Sequence, residues 1–173
     1  ADPTNTQRQR DLSLCHDRIG DVLTAQGDEP DALAAFREAL AIAETLAARD
    51  PANTQWQRDL SVSHNNIGDV LSTQGDGPDA LAAFRKALAL TEALAARDPT
   101  NAEWQADLAK SCVRLGLIEH GQSAEERQGH LRRARDILLA LKASERTVQN
   151  LDAILADLDK RLASPPTAPR ASR

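Results

Sequence analysis

Apolar side chains recur at spacings of three and four through most of the chain. Leu12, Cys15, Ile19, Val22 and Leu23 fall on one helical stripe, and Leu33, Phe36, Leu40, Ala43 and Ala47 form a second. The punctuation between them predicts where each helix starts and stops. Asn5 stands in the N-cap place of the first helix, where its side chain can accept from an orphan backbone N–H. Gln26-Gly27 ends that helix, because glycine readily takes the left-handed C-cap conformation. Asp28 is placed to cap the second helix, and Pro30 lies in its first turn, where no intrahelical N–H is lost. Asp50-Pro51 then stops it.

The same phrase is written again 48 residues later. His16 to Leu40 reads HDRIGDVLTAQGDEPDALAAFREAL, and His64 to Leu88 reads HNNIGDVLSTQGDGPDALAAFRKAL. Asp2-Pro3, Asp50-Pro51 and Asp98-Pro99 keep the interval. So do Asn5, Asn53 and Asn101, Gln9, Gln57 and Gln105, and Gly20, Gly68 and Gly116. A period of this kind marks stacked supersecondary units, each of which buries its apolar face against a neighbour. The third unit drifts, losing one residue in its inter-helix turn, so that Leu131 takes the place of Phe84 and Ala134 that of Ala87. Its second helix is expected over 124–143. A last helix, about 146–162, puts Val148, Leu151, Ile154, Leu155, Leu158 and Leu162 on one face and charges on the other, as a terminal cap requires. Residues 164–173 are Pro-rich and are expected to be a disordered tail. The divisions are therefore 1–49, 50–97 and 98–145 for three repeats, 146–163 for the cap and 164–173 for the tail. The fold class expected is all-α, an α-solenoid of antiparallel helix hairpins.

Within the second helix, Ala32, Ala35 and Ala39 surround Phe36, so that small residues let two helices approach with the ring in the gap. Trp56 and Trp104 occupy equivalent places early in the first helix of units two and three, and the same place in unit one is Arg8. A residue that packs on the preceding unit has nothing to pack on in the first.

Composition supports this picture and narrows the function. Alanine and leucine dominate, with two Phe, two Trp and no Tyr or Met. Net charge is −5, concentrated in the first two units. A mildly acidic chain with few aromatics lacks the clustered bases and stacking platforms that nucleic acid needs. No apolar run approaches the roughly 20 residues of a membrane span. Cys15 and Cys112 form no CxxC pair and no disulfide framework, which fits a reducing, cytoplasmic setting. The chain lacks an initiating Met and opens on a phrase that recurs inside it, so it is expected to be a fragment of a larger protein.

These residues resemble the tetratricopeptide repeat family, whose pattern is W-x2-L-G-x2-Y, then A-x3-F-x2-A, then Pro. Ile19-Gly20, Leu23, Ala32, Phe36 and Ala39 match in unit one, and Ile67-Gly68, Leu71, Ala80, Phe84 and Ala87 in unit two. Unit three keeps Leu115-Gly116 and Ala134. The family Trp is replaced by His16, His64 and Cys112. The resemblance covers residues 2 to about 146. The family period is about 34 residues, so each unit here carries extra length, seven residues in each helix, or about two turns. Whole added turns keep the inward face inward. Such long repeats are similar to those of bacterial multidomain signalling proteins.

Motifs for chemistry are absent: no GxGxxG, P-loop, HExxH or GxSxG occurs. No catalytic residue, cofactor or metal site is therefore expected. His16 and His64 are equivalent by the repeat, as structural residues would be, and His120 and His130 lack ligand-spaced partners. Cys112, near Lys110 and Arg114, reads as an inert, partly buried thiol. The Arg127–Arg135 cluster reads as a solvated helix face diluted by Glu125, Glu126 and Asp136. Pro166-Thr167-Ala168-Pro169 is a PxxP of a common kind.

The resemblance implies a concave groove lined by the first helices. It would present Leu14, Asp17 and Asp21 in unit one, Val62, Asn65 and Asp69 in unit two, and Lys110, Val113 and Leu117 in unit three, with Asn66 and Arg114 also in reach. Some family members grip a peptide's terminal carboxylate with a clamp of two Lys, two Asn and an Arg. Asn66, Lys110 and Arg114 match three of those places, but Asp17 and Asp21 stand in two others and would repel a carboxylate. The pattern instead suits a ligand of opposite charge order, or the charges are ordinary solvated ones. The expected role is binding a protein or peptide partner without chemistry, with neither nucleic acid nor membrane. The rival readings are a homotypic assembly element, hence a homo-oligomer, and a regulatory arm of an enzyme elsewhere in the parent chain.

Overall fold

A computed structural model of the chain describes residues 3–144 and 150–163, and among them it contains seven helices and no strand. They are α1 (Pro3–Gln26), α2 (Glu29–Arg49), α3 (Thr54–Thr73), α4 (Gly77–Arg97), α5 (Ala102–Leu117), α6 (Ala124–Ala143) and α7 (Leu151–Ala163). The expected class, an all-α helical repeat, is what the chain adopts. None of the described helices is long and apolar enough to cross a membrane. Packing divides the helices into two compact units, one reaching Leu90 and one starting at Thr91, with the boundary inside α4. In the first, α1 packs on α2 and α2 on α3; in the second, α5 packs on α6 and α6 on α7.

The caps follow the punctuation closely. Gly27 takes φ +78°, its N–H reaches Thr24 O at 3.0 Å, and the Asp28 N–H reaches Leu23 O at 2.9 Å. Gly75 repeats this at φ +83°, with Asp76 N–H to Leu71 O at 2.9 Å. Both are Schellman closures, which satisfy the last carbonyls of a helix and suit glycine because no Cβ opposes the left-handed backbone. Asp28 caps α2 by accepting from the Asp31 N–H. Asn53 accepts from Gln55 and Trp56, and Asn101 from Glu103 and Trp104, each at 3.1 Å. Ser123 and Glu126 close a reciprocal capping box on α6.

Asn5 departs from this pattern: it lies inside α1, which begins at Pro3. In the later repeats the Asp-Pro turn is tied to the helix before it, Asp50 N–H to Leu46 O and Asp98 N–H to Leu94 O. Proline is accepted in a first turn, and α1 runs from Pro3 through Asn5. The last helix also differs: α7 begins at Leu151, and Val148 lies outside the described residues, as does the tail expected at 164–173. Leu155 and Leu158 are buried, and Asp152, Asp157, Asp159, Lys160 and Arg161 face solvent.

Each hairpin closes on one contact. Phe36 and Phe84 are buried among alanines, Ala32 and Ala39 around the first and Ala80 and Ala87 around the second. Each ring lies against the glycine of the facing helix so closely that a Cβ built on Gly20 or Gly68 would stand 2.5 Å from the ring. In the second unit Leu131 fills the same place against Gly116, and the Arg127 carbonyl oxygen would be 3.1 Å away.

The stripe expected to be buried on α1 is instead open. Leu12, Ile19 and Val22 are 51, 50 and 56% exposed, whereas Ile67 and Val70, their counterparts on α3, are 7 and 3% exposed. On α3 it is α2 that packs alongside. Asn53→Ala should lower stability by about 1 kcal/mol, the usual loss for an N-cap. Asn5→Ala, at an exposed position inside a helix, should change it by less than about 0.5 kcal/mol; urea titration of the two variants checks the difference.

Candidate functional site

The first-helix residues around each glycine are set by the hairpin contact just described. Once Gly20 and Gly68 face a ring, the rest of α1 and α3 is fixed in rotation. Side chains one repeat plus one residue apart then meet across α1 and α3. Arg10 Nε donates to Asp59 Oδ2 at 2.6 Å, and Gln55 Nε2 donates to the other Asp59 oxygen at 3.0 Å. Two turns along, Asn66 Nδ2 donates to Asp17 Oδ1 at 3.2 Å. Neither pair was among the sequence expectations; the signal is complementary polar residues at an offset of 49 rather than 48.

Of the residues expected on the first unit, Asp17 and Asn66 are joined by that bond and both are half-buried. Asp21, Val62 and Asp69 are exposed, Leu14 is half-buried, and Asn65 is buried. Burial pushes the Asp17 carboxyl up to about 6, and the neighbouring charges of Asp21 and Asp59 add to the rise, against the Asn66 bond and His16. Asp17 is thus a carboxylate that loses its charge near neutral pH, held in place by an amide and flanked by other acids.

On the second unit, Lys110 and Leu117 are exposed, and Val113 and Arg114 are half-buried. Lys110 Nζ lies 3.1 Å from Asp107 Oδ1, whose carboxylate is buried. The Lys110 charge is therefore partly spent on its own helix. Among the arginines of α6, Arg133 pairs with Glu92 and Arg135 with Asp159, while Arg127 lies 3.6 Å from Glu119. These contacts tie α6 to neighbouring segments.

Two other titratable groups fit structural roles. Burial, with the charge of Lys86 adding, pushes His64 down to about 4, so it is neutral in the fold. Cys112 is fully buried, and desolvation pushes its thiol up to about 11, far from the thiolate that reactivity requires. Among the described residues, no three His, Cys, Asp or Glu side chains converge to hold a metal ion.

Comparison with known proteins adds one match. Residues 17–52 and 63–99 fit a family model described as Tetratricopeptide repeat. No curated protein matches the chain.

The shifts of Asp17 and His64 act on stability in opposite directions. Asp17 has its folded pKa raised, so its contribution is intact below pH 4 and is lost as pH rises through 6. His64 has its folded pKa depressed, so its contribution is intact above pH 6.5 and is lost as pH falls towards 4. Asp17→Asn keeps an acceptor for Asn66 and removes the charge. It should stabilise the protein by roughly 1–2 kcal/mol at pH 7 and by nothing below pH 4, read from urea midpoints across that range.

Proposed function

We propose that this chain, two stretches of which fit the tetratricopeptide repeat family model, is a non-catalytic module that binds a protein or peptide partner through its first helices. Repeats of this family generally mediate protein–protein interaction, and preplaced side chains on rigid helices lose little order on binding. The observation that carries the finer reading is the Asp17 environment. A half-buried carboxylate, held by Asn66 and raised first by burial and then by Asp21 and Asp59, is relieved by a cation. The first unit therefore favours a partner segment bearing Lys or Arg, and disfavours a terminal carboxylate. Asn66, one of the three clamp-like residues, has its amide turned to Asp17, which supports the same reading. Lys110 and Arg114 of the second unit, with Val113 and Leu117 beside them, are proposed to meet acidic or apolar parts of a partner.

Binding to the first unit should release a proton near pH 6 and weaken as Asp17 is protonated. With a fluorescent Lys-rich peptide, Asp17→Lys/Asp21→Lys should weaken binding at least about tenfold, a change of about 1.4 kcal/mol. The affinity of the unmodified chain should fall between pH 7 and pH 5. A peptide series bound equally well by both proteins, with no preference between basic and acidic members, would refute this reading.

A further inference from the structure

Asp17 and Asn66 belong to a longer register that the bonded pairs of α1 and α3 define. Arg10, Leu14, Asp17 and Asp21 follow one another on α1 at spacings of four, three and four. Asp59, Val62, Asn66 and Asp69 follow on α3 at spacings of three, four and three. Each set is one stripe of its helix. Arg10 bonds to Asp59 and Asn66 to Asp17, so the two stripes face each other and the helices run parallel. Leu14 and Val62 fall between these two polar rungs, and Asp21 and Asp69 fall one turn beyond the second. Leu14 is half-buried and Val62 is 38% exposed. A single exposed aliphatic residue is ordinary. Here both stripes place one at the same level, with polar groups above and below.

Charge is divided along the same stripes. At one end, Asp59 already has a guanidinium, with Arg10 Nε at 2.6 Å and Gln55 Nε2 at 3.0 Å. At the other end stand Asp17, Asp21 and Asp69, and Asp17 is bonded to an amide rather than to a cation. That end lies towards the C-termini of α1 and α3, where the helix dipole disfavours an anion. The second helices answer the dipole with Arg49 on α2 and Arg97 on α4. Neither α1 nor α3 has a basic residue in its last turn. Acids are thus set where the backbone opposes them, and the last turns of their own helices bring no cation. A cation from a partner complements that end, and the aliphatic pair beside it fits an apolar group from the same partner.

We propose that the first unit recognises a bipartite segment, extended along α1 and α3. An apolar side chain seats on Leu14 and Val62, and a Lys or Arg two residues away from it reaches Asp17, Asp21 and Asp69. This rests on the reading that the first unit takes a basic segment, and adds to it the apolar seat and the spacing. The spacing follows from the rise of each element. Along α1, Asp17 lies about 4.5 Å and Asp21 about 10.5 Å from the level of Leu14. In an extended segment, side chains on one face recur every second residue, about 6.6 Å apart. The cation then falls between the levels of the two acids. A basic residue directly next to the apolar one points to the opposite face and gains nothing from it.

The test is an NMR titration of the whole chain, which reads weak affinities, with short peptides of Ser and Gly. One peptide carries a single Lys. The others carry that Lys with a Leu one or two residues away, in both orders. A Leu two residues away should tighten binding at least about fivefold over Lys alone in one order or both, and a Leu next to the Lys should not. Val62→Ser should remove that preference, so that the peptides with and without Leu bind alike, and Val62→Leu should keep it. Val62 is exposed, so helicity and melting temperature report that both variants fold. A Leu that helps equally at both spacings, or a preference that survives Val62→Ser, would overturn the apolar seat and leave the cation site standing. Failure of every Lys peptide to bind would overturn both.

Discussion

In both hairpins of the first unit, a phenylalanine ring occupies the space in which a side chain on the facing helix would begin. Phe36 takes the place of a Cβ on Gly20, and Phe84 that of a Cβ on Gly68. The glycine brings backbone against ring, and the ring fixes which way each first helix is turned. Small residues on both sides, Ala32 and Ala39 or Ala80 and Ala87, allow the approach. A buried Phe contributes about 1.5–3 kcal/mol by transfer alone. The glycine gives up roughly 0.5–1 kcal/mol of helix propensity relative to Ala, so the trade favours the contact. The second unit makes it with Leu131 and Gly116, a smaller side chain on a shorter first helix.

The side-chain pairs between α1 and α3 follow from that rotation. With Gly20 and Gly68 turned inward, Asp17 of α1 comes against Asn66 of α3, and Arg10 comes against Asp59. The same rotation puts Leu12, Ile19 and Val22 of α1 on the side that α3 buries as Ile67 and Val70, with α2 packed on α3. One contact thus sets which side chains of α1 and α3 meet, Asp17 among them.

The fold was legible because helix caps, periodicity and the 48-residue interval all point to the same hairpin. Gly27 and Gly75 close their helices as expected, Asn53 and Asn101 cap theirs, and α6 spans the residues expected of it. Where sequence reading fell short, the cause was a neighbour. Asn5 has the same local signal as Asn53, but α1 runs through it from Pro3. The α1 stripe has the same periodicity as that of α3, and periodicity says which residues share a face without saying whether anything covers it. The partner of Phe36 was missed for a similar reason: its alanine neighbours are on its own helix, whereas the glycine it meets is sixteen residues away on another. The candidate site was legible as positions. Its electrostatics were not, because the Asp17 shift depends on burial and on Asp59, which lies 42 residues further along the chain.

The account stands on the glycine–ring contact, and a double-mutant cycle on Gly68 and Phe84 tests it most directly. Gly68→Ala should destabilise the unmodified chain by about 1–3 kcal/mol, because an added methyl overpacks the gap. In a Phe84→Ala background the same substitution should stabilise by roughly 0.5–1 kcal/mol, since only the helix propensity of alanine remains. A reversal of sign between the two backgrounds is the predicted result. An equal effect of Gly68→Ala in both would show that the ring does not govern the helix approach, and would contradict the account.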